Sequence, residues 1–378
     1  MIKCQDYNSM PRLGYYIVGD KKFYYKQSAF LESSRIKQPA TWDFAHDVFA
    51  AAAAKPRAHL PLKTWYKLRA QQIRDQSDYI VLAYSGGADS DAILKAFIDN
   101  NIKLDEVWTD QPFAFTEKSS YVPNRSIESS NIISEWFYVI KPELDKLSKT
   151  NPETKIHCSD SFTDFGDKKF ELQNQLSFGT SYQSVCRYPY IDRYMQELKN
   201  KHPRATLIIG IDKLLPVINK KQIGFGFFDT ATFFKEDYVD YFFWSPSMPE
   251  LVVEQAHHVW DYLRNNLRPI IIRDHAVSQT YENGANRAIN MDRVIKQLIY
   301  PDWDFAKHQV NKTASFFEND QYDSVIIPFQ REKFYQATVS NSKNIVTQYD
   351  PTFVFERTPK NRVDMIKFKN AHMIGTLD

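Results

Sequence analysis

Six residues, Ser85-Gly86-Gly87-Ala88-Asp89-Ser90, constrain this chain more than any other stretch. They follow the apolar run Tyr79–Tyr84 and lead into Asp91–Ile98, so the spacing predicts a strand, a glycine turn and a helix in succession. Two glycines let the backbone turn tightly with no side chain projecting. Successive N–H groups can then face an anion at the start of a helix, where the macrodipole already favours negative charge. Ser85 and Ser90 add hydroxyls. The pattern is not GxxxxGK[ST], whose lysine is absent here, and it is not GxGxxG.

The surrounding order extends the same reading. Strands are expected at Tyr79–Tyr84, Leu104–Thr109, Lys155–Cys158 and Thr206–Ile211, with helices at Asp89–Asn100, Ser126–Leu147 and Ile191–Lys201 between them. That alternation predicts an α/β fold with a doubly wound parallel sheet over residues 78–216. Ligands of such sheets bind at the carboxyl ends of the strands, which makes Ser85, Thr109, Asp110, Ser159, Asp160, Asp212 and Lys213 candidates for one crevice.

Residues 1–77 read as an α+β appendage. A hairpin is expected where Tyr15–Val18 and Lys22–Tyr25 flank Gly19-Asp20, then helices over Trp42–Ala54 and Lys63–Gln76, separated by Pro56 and Pro61. Residues 217–378 read as an aromatic-rich, mostly helical region. It has strands or loops at Phe225–Phe228 and Tyr241–Trp244, a helix from Pro249 to Leu263, another at Ala288–Tyr300, and a strand at Phe353–Phe355.

At 378 residues, 43% of them apolar, the chain can bury a full core. Lys+Arg 48 against Asp+Glu 46 leaves no global charge that would argue for a nucleic-acid coat or a polybasic membrane anchor. Cys4, Cys158 and Cys186 are too scattered for a disulfide framework or a zinc site. With no apolar run of membrane-spanning length, the expectation is a cytoplasmic protein with no membrane partner.

SGGxDS after a buried strand resembles the pyrophosphate loop of the N-type ATP pyrophosphatases, the PP-loop superfamily with the adenine nucleotide alpha-hydrolase-like fold. Two later segments are similar to those of its phosphoadenylyl-sulfate reductase branch: Cys186-Arg187-Tyr188-Pro189 opening a helix, and Thr206–Ile211 followed by Asp212-Lys213. Val107-Trp108-Thr109-Asp110, with Pro112, Phe115, Thr116 and Glu117, stands where that branch has its Asp-Thr-Gly segment. The resemblance covers about Tyr79 to Lys213. No cysteine follows Cys186, so the nucleophile of sulfonyl reduction is not expected. Met1-Ile2-Lys3-Cys4 does not match a glutaminase start.

The resemblance implies an enzyme that cleaves ATP to AMP and pyrophosphate with Mg²⁺, adenylylating an acceptor for attack by a second nucleophile. Gly86, Gly87 and Ala88, with the Ser85 and Ser90 hydroxyls, would hold the pyrophosphate. Asp89 would bind Mg²⁺ or cap the helix, Asp212 would join the metal or pair with Lys213, and Lys213 and Arg187 would hold phosphate or substrate oxyanions. Asp110 would line the nucleotide site. The acceptor, a small molecule or a nucleobase, stays open. So do a nucleic-acid substrate modified with help from Cys158 and Cys186, a non-catalytic nucleotide-binding module, and a homodimer. His257-His258 reads as one packed and one exposed imidazole, because adjacent helix positions face different ways.

Overall fold

The computed structural model describes residues 14–23, 29, 32–33, 35–36, 38, 40–110, 136–160, 188–210, 214–226, 237–274, 276–278, 287–289, 291–300, 302, 366–368 and 371–377. The chain opens with the expected hairpin, β1 (Tyr15–Val18) and β2 (Lys21–Phe23), turning at Gly19. Strand β3 (Ala40–Asp43) then pairs antiparallel with β1. Trp42 was expected in a helix. It lies instead in β3, fully buried and opposite Tyr16, because Ala40–Asp43 alternates between the core and a half-buried face. The helix that follows, α1 (His46–Ala53), starts only after Asp43, whose carboxylate accepts from the His46 N–H at 3.1 Å. Helix α2 (Leu62–Gln76) begins after Pro61 and buries Leu62, Tyr66, Arg69, Ala70 and Ile73, one face at helical spacing.

Then comes the alternating unit: β4 (Tyr79–Ala83), α3 (Ala88–Ile98), β5 (Glu106–Asp110), a π-helical turn at Trp136–Ile140 running into α4 (Lys141–Thr150), β6 (Lys155–Ser159), α5 (Tyr188–Lys199) and β7 (Ala205–Ile209). Ile80, Val81 and Leu82 of β4 are fully buried in succession, as a strand covered on both faces requires.

The described part of the region after β7 holds strands as well as the expected helices. It supplies β8 (Leu215–Asn219), β9 (Gln222–Gly226), β10 (Val239–Tyr241), α6 (Glu250–Asn266), α7 (Pro269–Asp274), β11 (Ala276–Ser278), β12 (Arg287–Ile289), α8 (Asp292–Ile299), β13 (Ile366–Phe368) and β14 (Ala371–Thr376). Strands β11-β12-β8-β9-β14 form an antiparallel sheet, and β13 joins the first sheet in the order β13-β3-β1-β2. The strand expected at Phe353–Phe355 lies outside the described residues.

The central sheet has five strands, all parallel, in the order β10-β7-β4-β5-β6. Arg69 of α2, fully buried, ties β10 to this layer. Its guanidinium pairs with Asp240, and its Nε donates to the Phe242 carbonyl at 3.1 Å. Among the described residues no helix is long and apolar enough to cross a membrane.

Candidate functional site

After Ala83 the Tyr84 N–H still reaches the Trp108 carbonyl at 2.8 Å, and then the chain leaves the sheet. Gly86 has φ +71°, in the left-handed region. A Cβ there would lie 2.8 Å from Ile140 Cγ1 and 3.0 Å from Val139 Cγ1, so both backbone and neighbours require glycine. The helix starts at Ala88 with Gly87 as its N-cap and no side-chain cap bond. Its first ladder bond runs from the Asp91 N–H to the Gly87 carbonyl at 2.9 Å, so the amides of Ala88, Asp89 and Ser90 need acceptors from outside the helix. A phosphate group meets that need.

The two serines divide their work. Ser90 is buried, and its hydroxyl donates to the Gly87 carbonyl at 3.2 Å while accepting from the Ser85 N–H at 3.2 Å. It braces the loop from inside. Ser85 is exposed, with its hydroxyl 3.4 Å from both Ser90 Oγ and the Gly87 nitrogen.

Asp89 does not cap its helix. Its carboxylate accepts a hydrogen bond from the hydroxyl of Tyr300, just past α8. Gly210, following β7, packs against the same residue: a Cβ there would stand 3.2 Å from the Asp89 carbonyl carbon and Cβ, and 3.0 Å from Ile93 Cδ1. The ends of β4 and β7 therefore meet at the loop, where the strand order turns back on itself. Asp212 and Lys213 come just after Gly210 but lie outside the described residues, as do Arg187, Cys186, Pro112, Phe115, Thr116 and Glu117.

On the neighbouring strand Asp110 is buried at the carboxyl end of β5. It accepts from Ser159 Oγ at 2.6 Å, and that hydroxyl in turn accepts from Trp108 Nε1 at 2.9 Å. Beside it the buried Thr109 hydroxyl has no partner among the described residues. Cys158 stands opposite Thr109 on β6, and partial burial pushes its thiol up, against thiolate chemistry.

At the other end of the same strands Glu106 is fully buried. His157 Nδ1 at 2.8 Å, Tyr194 at 2.8 Å, Tyr79 at 2.9 Å and Lys155 at 3.1 Å surround its carboxylate. Burial alone would push that carboxyl up, but these four partners hold it below its ordinary value. His257 and His258 are both half-buried, and burial lowers both; His258 also sits 3.3 Å from Glu254.

Ser159 is among the crevice candidates expected from the sequence, whereas Tyr300, Gly210, Val139 and Ile140 were not identified from sequence as parts of this site. Gly210 at the end of an apolar strand was the one legible signal, since a missing side chain there allows close approach. No protein-family model, curated protein or solved structure matches the chain.

Proposed function

We propose that the loop Ser85–Ser90 binds the triphosphate of ATP and that the chain transfers the adenylyl group to an acceptor. In this reading the parallel sheet is the doubly wound, adenine nucleotide alpha-hydrolase-like core that the loop's resemblance implies. The observation that carries it is the glycine-locked turn: Gly86 against Val139 and Ile140, Gly210 against Asp89, and the first amides of α3 directed to the carboxyl edge between β4 and β7.

An acceptor oxygen attacks the α-phosphorus. The bond from that phosphorus to the bridging oxygen of the β-phosphate breaks, and pyrophosphate leaves with the electron pair. A second nucleophile then displaces AMP from the activated acceptor. The loop amides meet the charge that develops on the departing pyrophosphate, and because they are fixed before reaction they need no reorganisation. Lys213 and Arg187 would add cations to the same crevice. Mg²⁺ is held through one or two carboxylates together with substrate phosphates, and Asp89 at the loop fits that requirement. Such a cation would neutralise phosphate charge. Among the described residues no cluster of three or more metal-binding side chains exists, so Asp89 would share the ion with the phosphates and with Asp212.

The test is incubation of the purified protein with α-labelled ATP and a panel of carboxylate, amide and nucleobase acceptors. Labelled AMP or adenylylated acceptor with pyrophosphate is expected. Formation of ADP and orthophosphate, or no nucleotide binding at all, overturns the reading. Asp89→Asn should lower turnover at least about a hundredfold, in line with loss of an electrostatic group at a phosphoryl-transfer site.

A further inference from the structure

We propose that Tyr300 is a positioning residue for Asp89, which makes the segment after α8 part of the loop's binding machinery. The ligand in this inference rests on the nucleotide reading above; the contact itself does not.

Ile299, Tyr300 and Asp302 are pinned at several points. The Ile299 carbonyl accepts from the buried Tyr66 hydroxyl, which itself accepts from Gln255 Nε2 at 2.7 Å. The Asp302 carboxylate meets Lys63 Nζ at 2.6 Å, and the Asp302 carbonyl lies 3.4 Å from Lys95 Nζ of α3. Between these anchors the Tyr300 ring is buried, 5.4 Å from the Phe243 ring, so the direction of its hydroxyl is set by packing. That hydroxyl meets the one acidic side chain of the Ser85–Ser90 loop.

The choice of donor matters. A lysine there would neutralise the carboxylate; a phenol orients it and leaves its charge in place. Oδ1 accepts from Tyr300, and the carboxylate, its charge delocalised over both oxygens, would still have Oδ2 to offer a hard cation. Partners that orient a metal-binding carboxylate typically change metal affinity tenfold to a hundredfold when removed.

The experiment compares wild type with Tyr300→Phe, which keeps the buried ring. Mn²⁺ is titrated by electron spin resonance in the presence of α,β-methylene ATP, and amide hydrogen exchange at residues 86–91 is followed in metal-free protein. The expected result is about tenfold weaker Mn²⁺ binding, together with at least about fivefold faster exchange confined to the loop. Unchanged exchange overturns the proposal, and so does faster exchange with unchanged Mn²⁺ affinity. If wild type binds neither Mn²⁺ nor nucleotide, the nucleotide reading fails by itself, and the exchange measurement alone decides whether Tyr300 orders Asp89. Should Tyr300→Phe not fold, Asp302→Ala loosens the same segment from its exposed end and takes its place with the same two readouts.

Discussion

The two edges of the parallel sheet treat carboxylates in opposite ways. At the amino edge Glu106 is sealed from water and surrounded by His157, Tyr194, Tyr79 and Lys155. At the carboxyl edge Asp89 is half-buried and accepts from Tyr300, while the helix it sits on starts without a side-chain cap. A saturated carboxylate anchors strands. One left with spare acceptor capacity at a helix start suits an exchangeable partner. The contrast separates a carboxylate whose partners are all in place from one that keeps acceptor capacity.

The largest effect comes from a group that breaks the saturated pattern. His372 of β14 is buried among His46, Phe49 and Phe225, and neither of its ring nitrogens has a partner among the described residues. Burial, with the nearby His46 ring, lowers it from 6.5 to about 3. The folded state thus refuses a proton that the unfolded chain accepts. Stability from this group is intact above pH 6.5 and falls progressively between 6.5 and about 3, by on the order of 4 kcal/mol. Urea denaturation across that range should show the loss, and His372→Leu should flatten it. An equal slope in both proteins would mean that His372 is hydrated or partnered.

Next in size is Glu106→Ala, which leaves Lys155 and His157 facing an uncompensated hole and should cost about 3 kcal/mol in chemical denaturation. A cost below about 1 kcal/mol would show that water replaces the carboxylate and that the amino edge is not sealed. Gly86→Ala is expected to cost about 2 kcal/mol, from the left-handed backbone and the crowding by Ile140 and Val139. It should also weaken nucleotide binding; normal binding by this variant would argue that the loop's shape is incidental. Asp89→Asn should have the smallest effect on stability, within about 1 kcal/mol from the weakened helix-terminus interaction, however large its effect on turnover. A larger loss of stability would erase the distinction between the two edges.

The parallel strands were legible because each is a short apolar run between turn signals. Their observed limits fall within two residues of the expected ones at β4, β6 and β7, and β5 starts two residues late. The loop was legible from its glycines. Strand β3 was not, since Trp42 owes its strand to pairing with β1 and with β13, which is more than 320 residues distant along the chain. The β8–β9 hairpin was hidden for a different reason. It turns at Lys220-Lys221, with Lys220 at φ +54° in place of the usual glycine or asparagine, and β8 contains Pro216, which reads as a boundary. At the candidate site, Ser90's inward role follows from loop geometry that composition does not encode. The Tyr300 contact joins residues 211 positions apart, and no local pattern announces it.

Residues 366–376 have an effect on assembly out of proportion to their number. Among the described residues, strand β13 joins the first sheet and β14 the antiparallel one, whereas the five strands of the central sheet are all present by Tyr241. On the ribosome, those five strands can therefore emerge before residues 366–376 are made, while both flanking sheets await that stretch. Their unfilled edges would be open to chaperones, or to a neighbouring nascent chain, until translation reaches that stretch.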